Sequence, residues 1–396
     1  LLETEPGRLQ ASDLAWDTIK KRWYHLYPKQ DLKAGNGLHW TGPYKTWNAR
    51  CAECHATGYK KNYSARLRRY ASTQAEIGVG CEGCHGPGEA HVAWAKKTDR
   101  YDPNRWSGLT KNGLTIGFTA GSAKTENQQC AGCHSRREPL IDGNPLPGRA
   151  FHDAYRLALL RPGLYHADGS IQDEVYVYGS FLQSKMYARG VRCSDCHDPH
   201  AAKLKASGNA VCAQCHSPAG NSRFPTLRKA TYDAPSHHFH SPGSDAAQCK
   251  SCHMIERTYM GIDGRRDHSF RIPRPDLSKE TGAPNACIDC HTKRDPAWAA
   301  AQIAQRFPGS NRRGPHFSEI FARARKNPAA EVEGLLEIAN NKAIADIVRA
   351  TALDLLRNAA TPIVAKRAAP LISDASPLVR TAAIALHRGA SAIDRV

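Results

Sequence analysis

Fourteen cysteines fall into seven copies of one pattern, in which two cysteines are separated by two residues and followed directly by histidine. This pattern is the attachment signature of c-type haem: two thiols form thioethers at one edge of a porphyrin, and the adjacent imidazole ligates the iron. The spacing is short because both sulfur atoms must reach the same macrocycle. We number the copies motifs 1 to 7 in chain order: Cys51-Ala-Glu-Cys54-His55, Cys81-Glu-Gly-Cys84-His85, Cys130-Ala-Gly-Cys133-His134, Cys193-Ser-Asp-Cys196-His197, Cys212-Ala-Gln-Cys215-His216, Cys249-Lys-Ser-Cys252-His253 and Cys287-Ile-Asp-Cys290-His291.

Zinc sites and disulfides explain this pattern less well than haem. Zinc gives no reason for a histidine after every pair, and a four-cysteine site uses the pairs in twos, whereas seven is odd. A disulfide framework does not account for the histidines either. The sequence therefore predicts seven covalently attached haems c, with all fourteen cysteines as attachment points and the seven motif histidines as iron ligands.

A haem that only carries electrons needs a second axial ligand, and histidine is the usual choice where a low reduction potential is wanted. Twelve histidines lie outside the motifs, whereas the chain has only three methionines. His91 and His200 follow their motifs closely, so we expect them to ligate a neighbouring haem and not their own. His25, His316 and His387 are expected to be surface or hydrogen-bonded histidines, which is the alternative for every candidate. The predicted distal ligands are His39, His91, His152, His200, His237, His240 and His268.

The net charge of +18 raises the question of nucleic acid or an anionic membrane. Each haem carries two propionates, however, and those of seven haems offset most of this charge. We therefore predict no nucleic-acid partner. No apolar run approaches the roughly 18 residues that span a bilayer, so no membrane-spanning segment is predicted. The chain begins at Leu1, which fits a mature or truncated product.

The chain is predicted to be mainly α-helical with much irregular loop, since it holds 31 glycines and 24 prolines. An aromatic-rich segment, residues 1–50, is expected to pack on the haem domain. Residues 51–296 form a seven-haem domain whose core is the haems themselves, with helices such as His91–Lys96 after the motifs and a strand-like patch at Glu174–Tyr178. Residues 297–396 form a separate helical region.

The C-terminal region contains an internal repeat. Ile347–Leu356 is echoed by Leu378–Leu386, and a weaker copy lies at Glu319–Ile338. The apolar period near 3.6 resembles HEAT-type helical repeats, which stack as helix pairs. Such a region binds a partner protein or serves as a structural lid, and the sequence favours neither.

Three segments carry a resemblance to a known superfamily: Cys81–His91 with its Gly-Pro-Gly-Glu-Ala-His ending, Cys193–His200, and Asp267–Asp276. The chain resembles multihaem cytochromes related to tetrahaem cytochrome c, hydroxylamine oxidoreductase and pentahaem nitrite reductase. The resemblance implies distal ligation by residues at the positions of His91 and His200. Those proteins usually carry one more motif upstream, so the chain is expected to be part of an eight-haem protein.

Electron transfer through closely packed haems is the function that these features favour. One alternative is an enzyme acting on a small nitrogen or sulfur oxyanion at one haem with an open distal side; another is a scaffold whose repeats recruit a partner. Because haem is attached outside the cytoplasm, we expect a periplasmic or extracellular bacterial protein. The expected partners are other cytochromes, a quinol oxidase or a terminal reductase, and a homo-oligomer or filament is left open.

Overall fold

The computed structural model describes residues 1–98, 102, 104, 106–118 and 122–389. Its contacts group into two compact units, one formed by Leu1–Arg156 with Thr258–Gly264, and the other by Leu157–Arg257 with Arg265–Val396. The first unit carries motifs 1 to 3 and the second motifs 4 to 7. The domain boundaries predicted at residues 50 and 296 enclose the seven motifs instead, and they stay a prediction.

The first unit combines short helices with two-stranded hairpins. The helices after the motifs include Glu89–Ala95, which confirms the helix predicted there. The N-terminal hairpins were not predicted; in one of them Trp16 faces Trp23 across the strands, with ring centres 5.5 Å apart. The strands pair as Leu2–Glu5 with Arg8–Gln10, Leu14–Asp17 with Arg22–His25, Ala56–Thr57 with Glu76–Ile77, and Tyr63–Ser64 with Arg69–Tyr70. The helices are Pro43–Lys45 (3-10), Trp47–Arg50, Ala52–His55, Cys81–His85, Glu89–Ala95, Ala123–Ala131 and Phe151–Ala154.

Motifs 4 to 7 lie on short helices joined by long irregular segments. The strand-like patch predicted at 174–178 forms no strand, because Tyr176 adopts a left-handed φ of 59° and a helix begins at Tyr178. The helices are Tyr178–Phe181, Lys185–Ala188, Cys193–Cys196, Ala210–Ala213, Pro235–His238, Asp245–Ala247 (3-10), Cys249–His253, Pro275–Leu277 (3-10), Ser278–Thr281 and Ala286–Cys290. The remaining strands are Arg137–Pro139, Tyr155–Leu157, His197–Asp198, Lys203–Leu204, Glu256–Tyr259 and Asp263–Arg266.

The C-terminal part of the second unit is a helical stack with an aliphatic core. Asp346–Leu356 packs against both Val332–Asn340 and Pro377–Gly389, and Ile347, Leu353 and Leu356 are fully buried. Among the helices of the described residues, none has the length and apolar character that crossing a bilayer requires. The helices of this part are Pro296–Arg306, Asn311–Arg313 (3-10), Phe317–Ala324, Pro328–Glu331 (3-10), Val332–Asn340, Asp346–Leu356, Arg357–Ala359 (3-10), Pro362–Ala368, Ala369–Ser373 (3-10) and Pro377–Gly389.

A buried ion pair ties this stack together. Arg349 is 3% exposed; its Nη2 lies 2.6 Å from Oδ2 of Asp374, and its Nε donates to the carbonyl oxygen of Ala339 at 2.9 Å. Arg380, the counterpart of Arg349 in the repeated Val-Arg sequence, donates to the carbonyl oxygen of Asp374 at 2.7 Å. Both repeated arginines therefore hold the same turn.

Replacing Arg349 with alanine is expected to lower the free energy of unfolding by about 3–5 kcal/mol, because it leaves the Asp374 carboxylate buried and unpaired. Arg357 is the matched control, since its pair with Asp354 is 46% exposed on the arginine side. Arg357→Ala is expected to cost less than about 1 kcal/mol. Denaturant titration followed by circular dichroism measures both, and equal losses would contradict this account.

The same pair makes stability depend on pH. The hydrogen bond from Arg349 holds the pKa of the Asp374 carboxyl below its ordinary value of 3.8. A carboxyl whose pKa is lower in the folded state stabilises the fold above its unfolded pKa, and this stabilisation is lost as pH falls through the folded pKa. We therefore expect the stability difference between the wild type and the Asp374→Asn variant to shrink below pH 3.8, measured by the same titration across pH.

Candidate haem-binding sites

Each motif folds into one helical turn. The backbone N–H of the motif histidine donates to the carbonyl oxygen of the first cysteine, at 3.0 Å in motif 1, 2.9 Å in motifs 3 and 5, and 2.8 Å in motif 7. Motifs 2 and 6 lie wholly within helices, and in motif 4 His197 makes the same bond to Cys193. Residues three and four apart share one face of a helix. Both thiols and the imidazole therefore point to the same side, as one porphyrin edge and its iron require.

The surroundings of the motifs also fit a large apolar cofactor. Ile77, Val79, Val92 and Trp94, beside motif 2, are large apolar side chains at 42–66% exposure, a surface that a porphyrin face would cover. The fourteen cysteines, all within the described part of the chain, form no disulfide. Among the residues that the structure describes, no three His, Cys, Asp or Glu side chains converge as the ligands of an ion. The helical turns of the motifs and the exposed apolar side chains beside motif 2 therefore fit haem.

Three motif histidines in the second unit each face a histidine from outside the motifs. Their ring centres lie 6.3 Å apart for His197 and His268, 6.3 Å for His253 and His237, and 6.2 Å for His291 and His240. A metal–nitrogen bond of about 2.0 Å and a further distance of about 1.1 Å from nitrogen to ring centre place the ring centres of two axial imidazoles about 6.2 Å apart. The observed separations therefore leave room for one iron atom between each pair.

Hydrogen bonds at Nδ1 show which imidazoles can ligate a metal through Nε2. A carbonyl oxygen only accepts, so a ring whose Nδ1 contacts a carbonyl carries its proton on Nδ1 and has a lone pair, not a proton, on Nε2. Among the distal candidates, Nδ1 of His91 donates to Asn112 at 2.8 Å and that of His268 to Arg266 at 2.8 Å, while that of His240 donates to His238. The motif histidines His85 and His253 follow the same rule.

Four other histidines show the opposite arrangement. A backbone N–H donates to Nδ1 of His25, His39, His238 and His316, at 3.0–3.3 Å. A neutral ring of this kind holds its proton on Nε2, which is then closed to a metal. His25 and His316 were predicted as ordinary histidines. His39 was predicted as a ligand. In the observed arrangement its imidazole ring would have to turn over before Nε2 could bind iron. The prediction stays untested.

Two of the candidate ligands sit beside phenylalanines with left-handed backbone. Phe239, directly before His240, has φ of 59°, and Phe270, two residues after His268, has φ of 49°. Such values are uncommon for bulky residues and cost free energy, so they persist where the surrounding structure requires them. The bend at Phe239 separates His237 from His240, which lets one short segment reach two different motif histidines. This backbone bend was not predicted from the sequence.

The other predicted ligands are placed as follows. His91 lies on the helix Glu89–Ala95 and stacks on Trp94 with ring centres 5.4 Å apart. His152 lies on the helix Phe151–Ala154, and its ring meets Phe151 edge-on at 5.1 Å. His200 follows motif 4, and its N–H donates to Oδ1 of Asp198 at 3.1 Å. The ring geometry pairs motif histidines with His268, His237 and His240.

In the first unit, motif 3 contacts both motif 2 and motif 1. Gln129, beside Cys130, donates to the carbonyl oxygen of Gly83 in motif 2 at 3.2 Å. On the other side, Sγ of Cys54 lies 3.9 Å from the carbonyl oxygen of Cys133. The side-chain hydrogen bond with Cys133 lowers the pKa of the Cys54 thiol to about 7. Motif 1 also contacts the segment before motif 2, because the N–H of Gly78 donates to the carbonyl oxygen of His55 at 2.8 Å. The three motifs of this unit therefore form one cluster.

In the second unit, the motifs follow one another in chain order. Arg223, after motif 5, forms an ion pair with Asp195 of motif 4. Asn209 precedes motif 5, and its Oδ1 accepts from the N–H of Cys249 in motif 6 at 2.9 Å. Motifs 6 and 7 are joined by the packing of Cys249–His253 against Ala286–Cys290, and by the ion pair of Arg257 with Asp289 at 2.9 Å. The spatial order is 4–5–6–7.

Comparison with known proteins points to the same chemistry. The family model described as "Cytochrome c554 and c-prime" matches residues 15–86, and the model of a doubled CXXCH motif matches residues 185–221. No curated protein matches the sequence. The crystal structure of the outer cell wall cytochrome OcwA is similar in fold, with a TM-score of 0.52 at 18% identity, covering 95% of this chain and 81% of that one.

The motifs, their helical turns and these likenesses make the chain similar to multihaem c-type cytochromes, and its fold is mainly helical with irregular loops. The CXXCH motifs support haem c as its cofactor.

Proposed function

We propose that the protein conducts electrons through seven covalently bound haems, arranged as a cluster at motifs 1, 2 and 3 in the first unit and as a relay 4–5–6–7 in the second. The observation that carries the proposal is the opposition of motif and non-motif imidazoles at 6.2–6.3 Å in three pairs. Two axial imidazoles close an iron to other ligands and favour electron transfer over chemistry at the metal. Motifs in direct contact bring haem edges close, and electron tunnelling falls steeply with distance.

The ring geometry supports an assignment of distal ligands. We assign His268 to the haem of motif 4, His237 to that of motif 6 and His240 to that of motif 7. His91 is a further ligand because its Nδ1 proton is held by Asn112, which leaves Nε2 free. His152 and His200 remain candidates for haems whose partners the geometry does not assign.

A single-electron experiment tests conduction. Photoreduction of the oxidised holoprotein by less than one electron per chain is expected to give fast redistribution of that electron among the haems. The redistribution rate, followed by visible absorbance, is expected to be first order and independent of protein concentration, because the path lies within one chain. A rate that rises in proportion to protein concentration would show that the haems exchange electrons only between molecules, which contradicts the relay.

One observation favours a second function, an oxidoreductase acting on a small nitrogen or sulfur oxyanion. The ring of His216 in motif 5 contacts Tyr232, with centres 5.9 Å apart. Within the described part of the chain, no imidazole faces His216 at the separation seen for the other three motif histidines of this unit. A high-spin ferric signal from one haem in the resting oxidised protein supports this function, and a wholly low-spin spectrum counts against it.

We further propose exchange of electrons with redox proteins outside the cytoplasm, such as other cytochromes, a quinol oxidase or a terminal reductase. The C-terminal helices pair as a HEAT-like array would, since Asp346–Leu356 packs between two neighbouring helices. We therefore propose this array as the place where a partner protein docks. Assembly of the chain into a homo-oligomer or filament stays an untested prediction.

A further inference from the structure

A buried ion pair occupies the junction between motifs 1 and 3. Nη1 of Arg137 lies 2.8 Å from Oε2 of Glu53, and both side chains are less than a tenth exposed, 6% for the arginine and 8% for the glutamate. The guanidinium also stacks on Tyr155, 3.7 Å from the ring centre. Burial of two charges is costly unless further contacts satisfy them. A pair in this position therefore calls for a functional explanation.

The contacts of the pair reach both haem-attachment turns. Glu53 is itself the residue before Cys54 in motif 1. Nε of Arg137 donates to the carbonyl oxygen of Gly132, the residue before Cys133 in motif 3, at 2.6 Å. Its Nη2 lies 3.6 Å from Sγ of Cys54. The ion pair thus lies between the cysteine-bearing turns of motifs 1 and 3.

Charges at this position act strongly on the haems. A charge in a poorly solvated environment interacts far more strongly with its neighbours than one in water. Reduction of a ferric haem adds one electron and no other group, so a nearby cation favours the reduced form and a nearby anion the oxidised form. Burial, hydrogen bonding and charge near the cofactor are the means by which a protein sets haem reduction potentials.

We propose that Arg137 and Glu53 are positioning residues that join the attachment turns of motifs 1 and 3. Arg137 raises the reduction potentials of the haems at these motifs, and Glu53 lowers them. The proposal rests on the proposed function, since it requires haem on both motifs.

Four substitutions in the holoprotein test it by spectroelectrochemical titration. Arg137→Gln is expected to lower the midpoint potential of at least one haem, because Glu53 then acts unbalanced. Glu53→Gln is expected to raise it, because Arg137 keeps its charge and its bond to Gly132. A tenfold change in the ferrous-to-ferric ratio corresponds to about 59 mV for a one-electron couple. The controls are Arg156→Gln and Glu138→Gln, which alter an ion pair whose side chains are both about 60% exposed; they are expected to leave every potential unchanged.

Shifts of the same sign in both buried variants, or no shift with haem content intact, would overturn the inference. If Arg137→Gln loses a haem, Arg137→Lys serves in its place because it keeps the positive charge. A wild-type-like potential in Arg137→Lys, together with a raised potential in Glu53→Gln, supports the electrostatic role. Any other pattern overturns it. Mass spectrometry of the peptides that contain motifs 1 and 3 distinguishes failure of the proposed function from failure of this inference. Wild-type motifs 1 and 3 without haem refute the proposed function, whereas haem present with unmoved potentials refutes only this inference.

Discussion

Replacing His240 with alanine is expected to turn one low-spin haem of the oxidised protein into a high-spin haem. His240 faces His291 of motif 7 at 6.2 Å, and its Nδ1 proton is held by a carbonyl, which leaves Nε2 to the iron. Loss of the imidazole opens the sixth position of that iron. Electron paramagnetic resonance of the oxidised protein measures the change of spin state. The number of carbon monoxide molecules bound per chain after reduction counts the opened site, and we expect one molecule more than in the wild type.

His238 provides a matched control two residues away. Its Nδ1 accepts the N–H of His240 at 3.2 Å, so its Nε2 carries the proton and it cannot serve as the ligand. The bond from His240 uses the backbone carbonyl of residue 238, which His238→Ala keeps. We expect His238→Ala to retain the wild-type spin states and carbon monoxide stoichiometry. New high-spin haem in this variant, with none in His240→Ala, would reverse the assignment.

Removal of motif 6 by the double substitution Cys249→Ala and Cys252→Ala is expected to disconnect motif 7 from the relay. Motif 6 contacts motif 5 through Asn209 and motif 7 through its helix, so its haem lies between two others. The variant should lose one haem of seven. After photoreduction by one electron, redistribution to the haem of motif 7 should appear as a separate, slower phase.

The corresponding double substitution in motif 7, Cys287→Ala and Cys290→Ala, also removes one haem but removes it from the end of the relay. Motifs 4 to 6 remain in contact, so we expect electron redistribution among their haems to keep the wild-type rate. Transient absorbance measures both variants, and intact mass confirms the haem content of each. Equal kinetics in the two variants would contradict the order 4–5–6–7.

The attachment residues could be read directly from the sequence because their chemistry is local. Two cysteines and a histidine within five residues fall on one helical turn wherever that turn lies, so no knowledge of the fold is needed. The helices at Ile347–Leu356 and Leu378–Leu386 were predictable for the same reason, since their apolar period is contained in the segment itself. Both lie within the observed helices Asp346–Leu356 and Pro377–Gly389.

Ligand pairing depends on tertiary structure and could not be predicted in the same way. His268 meets His197 across 71 positions of chain, and only the fold brings them together. The left-handed residue Phe239 separates His237 from His240, and the sequence does not mark this bend because phenylalanine rarely adopts that conformation. Arg137 was missed because nothing nearby in the sequence reveals Glu53 as its partner.

The most direct test of the account is the intact mass of the purified protein under denaturing conditions, since thioether-bound haem stays on the polypeptide when the fold is lost. We predict a mass that exceeds that of the 396-residue polypeptide by seven haems. A colourless protein at the mass of the bare polypeptide, or a stable mass with any other number of haems, would contradict it.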